Sequence, residues 1–182
     1  MARALALLAA TLFLVSGCLG VPEGITPVRE FDIERYLGKW YEIARLDHSF
    51  ERGLDLVTAE YSLREDGGVR VLNRGFSKAE GKWKEAEGRA YFVGDTDRGH
   101  LKVTFFWPFH ASYVVFELDR EEYGNALVTS TSRDYLWLLS RTPNPDPAVI
   151  ERFMAQASEH GFDTGALIFV RHDVDPDITP AR

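Results

Sequence analysis

From Lys39 to Arg141 the sequence keeps switching between short runs rich in β-branched and aromatic residues and small clusters of Gly, Asp, Asn and Glu. That alternation leaves few folds open, because each run is too short and too evenly patterned for a helix and each break suits a tight turn. Strands are expected at 39–46, 54–63, 69–77, 82–93, 99–106, 111–119, 125–131 and 135–141. Between them stand Asp66-Gly67-Gly68, Glu80-Gly81, Gly94-Asp95, Gly124-Asn125 and Arg133-Asp134, which accept turn geometry at little cost. Most connectors are hairpin-length, so sequence neighbours should pair antiparallel. An open sheet of this many strands would leave two edges to be protected, and closure removes both. The expected fold is therefore all-β: an eight-stranded antiparallel up-and-down barrel.

One amphipathic helix follows, announced by Pro143-Asn144-Pro145-Asp146-Pro147 and stopped near Gly161. Val149, Ile150, Phe153, Met154 and Ala157 share one stripe, which has to cover something. This C-terminal α-helix is expected on the outside of the barrel, followed by a short strand at 166–170.

The N-terminus reads as an address. Arg3 precedes an apolar run from Ala4 to Val15, too short to span ~30 Å of hydrocarbon as a helix. Val15-Ser16-Gly17-Cys18 resembles the lipobox of bacterial lipoproteins, in which the cysteine is acylated and becomes the first residue. Residues 1–17 are then a lipoprotein signal peptide, 18–30 a tether, 31–172 the barrel with its helix and 173–182 a disordered tail. The expected site of lipidation is Cys18. Leu19 rather than Asp follows it, which by resemblance to the sorting rule of Gram-negative lipoproteins implies the outer membrane, facing the periplasm.

Cys18 is also the sole cysteine, so no disulfide staples the barrel. A formal net charge of −7 argues against nucleic acid, whose binding requires clustered Lys and Arg. The histidines at 48, 100, 110, 160 and 172 lack metal-ligand spacing, and no phosphate-binding glycine loop is present. Neither a metal nor a cofactor is expected.

Gly38-Lys39-Trp40-Tyr41 at the start of the first strand resembles the first motif of the lipocalin family, and Asp134 to Arg141 resembles the motif that ends the last barrel strand. Leu118-Asp119-Arg120 with Tyr123 to Leu127 resembles the motif between them. Gly38, Trp40 and Arg141 are thereby marked as structural residues. Topology independently brings the start of the first strand and the end of the eighth together at one end of a barrel, which would set Arg141 against Trp40.

Parity anchored on Arg141 and Trp40 turns Trp137 and Tyr135 inward on the last strand, Ala44 and Glu42 on the first, and Val57, Ala59 and Tyr61 on the second. Ala90 and Phe92 on the fourth strand, Val103 and Phe105 on the fifth and Tyr113 on the sixth complete the candidate ligand-binding set. Residue patterning alone allows either a packed core or a cavity here. The resemblance implies a cavity for a fatty acid or lysophospholipid, serving lipid binding, storage or transport in envelope maintenance or stress, and it leaves a homodimer open. Trp107 and Phe109 lie on an open-end connection and suit either a membrane contact or a lid. An enzyme acting on lipids or epoxides through Glu42, Tyr113 or Tyr135 is the competing reading.

Overall fold

The computed structural model describes residues 19–173; Cys18, the proposed signal peptide and the tail beyond Asp173 lie outside the described residues. A short helix α1 (Ile33–Tyr36) leads into β1 (Gly38–Arg45), β2 (Leu54–Leu63), β3 (Val69–Ser77), β4 (Lys82–Phe92), β5 (His100–Thr104), β6 (Ala111–Leu118), β7 (Asn125–Thr129) and β8 (Leu136–Ser140). Helix α2 (Pro147–Glu159), a 3-10 turn (Thr164–Ala166) and β9 (Ile168–Phe169) follow. Each of β1 to β7 pairs antiparallel with the next strand, and β8 returns to β1, so the sheet closes. The fold is the expected eight-stranded up-and-down barrel with a helix outside.

One element, α1, was not expected, and the expected last strand, β9, takes a place in the barrel that the sequence did not indicate. In α1, Asp32 accepts a hydrogen bond from the Glu34 amide at 2.9 Å, a side-chain cap on a helix too short to show periodicity. β9 pairs with the second half of β1, where the β1–β2 ladder has already ended at Tyr41 and Thr58. The Leu56 amide donates to the Arg171 carbonyl at 2.9 Å, so the C-terminal segment fills the gap between β1 and β2.

The closed sheet separates two apolar layers. Inside, Trp40, Tyr61, Val71, Ala90, Leu101, Val115, Val128 and Leu139 pack together. Outside, Phe153 and Ala157 of α2 cover Ile43, Phe116, Leu127 and Leu138. Asp146 caps α2 by accepting from the Ala148 amide at 2.8 Å, and Pro147 occupies its first turn. Glu117 points outward, where Gln156 Nε2 donates to it at 2.9 Å; it ties α2 to the wall and adds no charge to the interior.

The parity expected for β1 needs correction. The register slips between Glu42 and Ala44, which face Leu139 and Leu138 respectively, so Ala44 joins the outer layer and Arg45 turns inward opposite Trp137. A bulge adds one residue to one strand and so reverses the alternation beyond it.

The segment expected as a tether is also not free. Ile25 and Val28 are buried, and Val28 exchanges backbone hydrogen bonds with Val115 and Gly99 at 2.9 Å each. Its Pro and Gly content suggested slack, but its spaced apolar residues dock on the wall. The Glu23 carbonyl accepts from Arg133 Nη2 on the β7–β8 connection, so this segment runs along the barrel from the open end toward the closed end.

Candidate functional site

The closed end is built around Trp40, which is fully buried and donates from Nε1 to the Tyr36 carbonyl at 2.8 Å. The Arg141 guanidinium lies 3.9 Å from the centre of the Trp40 ring. Its three nitrogens donate to the carbonyls of Lys39 at 2.9 Å, Arg35 at 2.8 Å and Tyr123 at 3.3 Å. One side chain thus joins the entry to β1, the end of α1 and the β6–β7 connection. Gly38 is called for by the backbone: its φ of +89° turns the chain into β1, whereas a Cβ there would only touch Arg141 Nη1 at 3.6 Å.

Above this floor stands a chain of phenols. The Tyr113 hydroxyl lies 2.8 Å from both the Tyr36 and the Tyr61 hydroxyls. Burial pushes all three well above the usual tyrosine range, so they act as neutral hydroxyls. The void they share with Ile33, Val71, Ala90 and Val103 is only about 10 Å³, too small for an acyl chain. Ala90, and Phe92 beside Phe31, therefore belong to the filled floor.

The upper half is different. Phe105 and Trp137 face inward yet are only half-buried, and Ala86, opposite Asn73 on the same face, is exposed, whereas Ala59 pairs with Trp40 and Val103 and Tyr113 line the small void of the floor. These inner-face residues that keep contact with solvent are the candidate lining of a cup open at this end. Gly88 allows Phe105 to lie flat on β4, where a Cβ would come within 2.9 Å of its ring. Val57 packs into the wall beside Leu54 and Gly75, and Tyr135 stacks on Trp137 at 6.0 Å.

At the rim the β1–β2 connection folds inward. Arg45 donates from Nη1 to Glu42 Oε1 at 2.6 Å and from Nη2 to the carbonyls of Glu51 and Leu54 at 2.8 and 3.2 Å. Trp137 Nε1 donates to Glu51 Oε2 at 3.1 Å, and His48 Nε2 lies 3.1 Å from the same oxygen. Burial, reinforced by the neighbouring Glu51, raises the Glu42 carboxyl well above the carboxylate range despite Arg45. Burial pushes Glu51 up as well, but His48 and Trp137 outweigh it and hold the group below its ordinary value. The sequence reading missed Arg45, His48 and Glu51. Its one available signal was the opposite charge of Glu42 and Arg45, three residues apart, which can share a face only across a bulge.

Phe106, Trp107 and Phe109 on the β5–β6 connection and Phe50 on the β1–β2 connection are each 73–78% exposed at this same end. The Trp107 and Phe109 rings are exposed rather than packed on the barrel. Among the described residues no group of His, Cys, Asp and Glu could hold a metal ion, and no helix is long and apolar enough to cross a membrane.

The family profile described as lipocalin-like domain matches residues 31–172. The chain is a lipocalin. It is 59% identical over 158 residues to the outer membrane lipoprotein Blc of Vibrio cholerae, covering 87% of this chain and 92% of that one. It is 52% identical over 165 residues to the outer membrane lipoprotein Blc of Escherichia coli K12, covering 90% and 93%. Insecticyanin from the tobacco hornworm Manduca sexta superposes with a TM-score of 0.66 at 20% identity, covering 85% of this chain and 87% of that one, a likeness of fold alone. The bacterial kinship puts this lipocalin at the outer membrane of a Gram-negative cell as a lipid-anchored protein.

Proposed function

We propose that this lipocalin carries the acyl chain of a fatty acid or lysophospholipid in the upper half of its barrel and turns the barrel mouth toward the membrane that anchors it. The observation that supports carriage is the cup itself: half-buried inner-face residues stand over a filled floor. Each methylene moved from water into such a cup contributes ~0.8 kcal/mol. About fifteen of them give ~12 kcal/mol, which after an association cost of about 4 kcal/mol leaves micromolar binding. The reading is one of binding, with no reaction assigned.

Acylated Cys18, freed by removal of residues 1–17, is the proposed anchor, and several acyl chains on it would hold the protein firmly. Glu23 is fastened beside the mouth by Arg133, and five residues of chain reach at most ~18 Å, so the anchor and the mouth belong on one side. The exposed Phe50, Phe106, Trp107 and Phe109 suit the bilayer interface, where aromatic rings are favoured. A homodimer would have to leave that mouth open.

Carriage is tested by organic extraction of the purified protein followed by mass spectrometry, with lipid titration of the stripped protein. Recovered acyl lipid and saturable one-to-one binding are expected; a barrel that yields no lipid and takes up none refutes it. Orientation is tested on a soluble form beginning at Leu19. Trp107→Ser with Phe109→Ser should cut its flotation with vesicles at least about fivefold, and unchanged flotation removes the membrane contact.

A further inference from the structure

The rim of the cup holds more hydrogen-bonding capacity than the protein itself uses. Arg45 is 2% exposed, yet its Nε has no partner, and at His48, 6% exposed, neither ring nitrogen makes a hydrogen bond, Nε2 only lying near Glu51. A buried N–H without an acceptor costs ~1–3 kcal/mol, so a site that keeps one is built for an acceptor that arrives from elsewhere. The tyrosine hydroxyls of the floor, by contrast, are bonded to one another. Unused polar capacity therefore lies at the mouth, not at the bottom, and an acyl ligand would enter tail first.

The position that such an acceptor would take is marked by Glu51. Its Oε2 receives the Trp137 indole N–H at 3.1 Å and lies 3.1 Å from His48 Nε2, with the inward-facing Arg45 opposite Trp137 on the neighbouring strand. We infer that the mouth is a binding site for the anionic head of a lipid, a carboxylate or a phosphate, and that the Glu51 carboxylate stands in for that head when the cup is empty. An imidazole and an indole N–H meet at one carboxylate oxygen, and the buried Arg45 guanidinium, bound to Glu42 and to the backbone carbonyls of Glu51 and Leu54, lies beside them, a donor set suited to oxyanions.

Exchange of the two anions requires little of the fold. Arg45 Nη2 grips the backbone carbonyls of Glu51 and Leu54, so the connection stays closed while the Glu51 side chain alone swings out. Trp137 and His48 then turn their donors to the lipid head, and a head with two or three oxygens can also reach Arg45 Nε, which the single Glu51 oxygen leaves unbonded. Phe50, next to Glu51 and 73% exposed, puts this exchange at the rim, where a lipid leaving a bilayer first presents its head.

The inference rests on the carrier reading, and the test separates the two. Oleate, lysophosphatidic acid and the uncharged oleyl alcohol are titrated by calorimetry into the stripped protein and into Glu51→Gln and Trp137→Phe. Glu51→Gln should tighten oleate and lysophosphatidic acid about fivefold relative to oleyl alcohol, because the neutral amide is a weaker competitor for the same donors. Trp137→Phe should narrow the preference for oleate over oleyl alcohol about threefold, and it keeps the inference refutable should Glu51→Gln fail to fold. If all three lipids bind and neither variant changes the ratio, the head site is wrong and carriage stands. If no lipid binds, both readings fall. Inorganic phosphate alone is titrated as a further arm: heat from it that Glu51→Gln enhances, with no lipid binding, assigns the site to free anions and also overturns the lipid head.

Discussion

Replacing Arg141 isolates what the closed end contributes to the barrel. In Arg141→Met three things are lost together: the cation over Trp40 at 3.9 Å and the hydrogen bonds to the carbonyls of Lys39, Arg35 and Tyr123. The cation–π contact on a buried indole is worth about 1–2 kcal/mol. The three carbonyls lie near the surface and regain water, so each bond counts near its net value of ~1 kcal/mol and not as a full desolvation penalty. The expected loss is about 4–5 kcal/mol, out of the 5–15 kcal/mol that single domains possess. Arg141→Lys keeps a cation but cannot reach three divergent carbonyls at once, so it should recover about 2 kcal/mol of that loss. The measurement is equilibrium urea denaturation of the soluble form from Leu19, with the slope checked for constancy so that midpoints report stability. A loss below about 1 kcal/mol in Arg141→Met, or a Lys variant as stable as the parent, would refute the account of Arg141 as a three-way tie.

Two further outcomes follow from the cup and its rim. Ala86 faces inward and is exposed, so Ala86→Trp should fill the mouth and weaken oleate binding at least about tenfold with the urea midpoint unchanged; retained binding would mean the acyl chain lies elsewhere. Glu42 has its folded-state pKa raised, so its contribution is fully present below the unfolded value and is lost as pH rises through the folded one. Glu42→Gln should therefore raise the urea midpoint at pH 8 relative to the parent, with the gain shrinking toward pH 4, and a variant weakened more at pH 8 than at pH 4 contradicts that sign.

The barrel was legible because hairpin-length connectors leave sequence neighbours little choice but to pair, and closure follows from the need to protect edges. The meeting of Trp40 and Arg141 was legible for the same reason: it depends on strand direction and count, both of which survive small errors in strand ends. What was not legible depends on single residues. A bulge at Ile43 reverses every later side chain of β1, and nothing in Glu42-Ile43-Ala44-Arg45 announces it, since both parities bury an apolar residue. The inward fold of the connection carrying His48 and Glu51 is a tertiary event without periodicity. Helix α1 fell below the length at which a helical pattern can be counted. The strands are therefore set by local pattern, whereas the rim of the candidate site is set by where one extra residue falls.

That division bears on how a carrier of this kind could change its cargo. The floor is over-determined: Trp40, Arg141 and the tyrosine hydroxyls each depend on partners from several strands, so a substitution there disturbs the whole barrel. The rim is under-determined, because the Glu51 carboxylate is held by side chains alone and the neighbouring Arg45 retains an unused donor. Changes at residues 48–51 can alter which head group is accepted without touching a strand pairing. Stability and the proposed selectivity are thus placed at opposite ends of one barrel, and the half proposed to select also bears the exposed aromatic rings and lies within reach of the N-terminal segment.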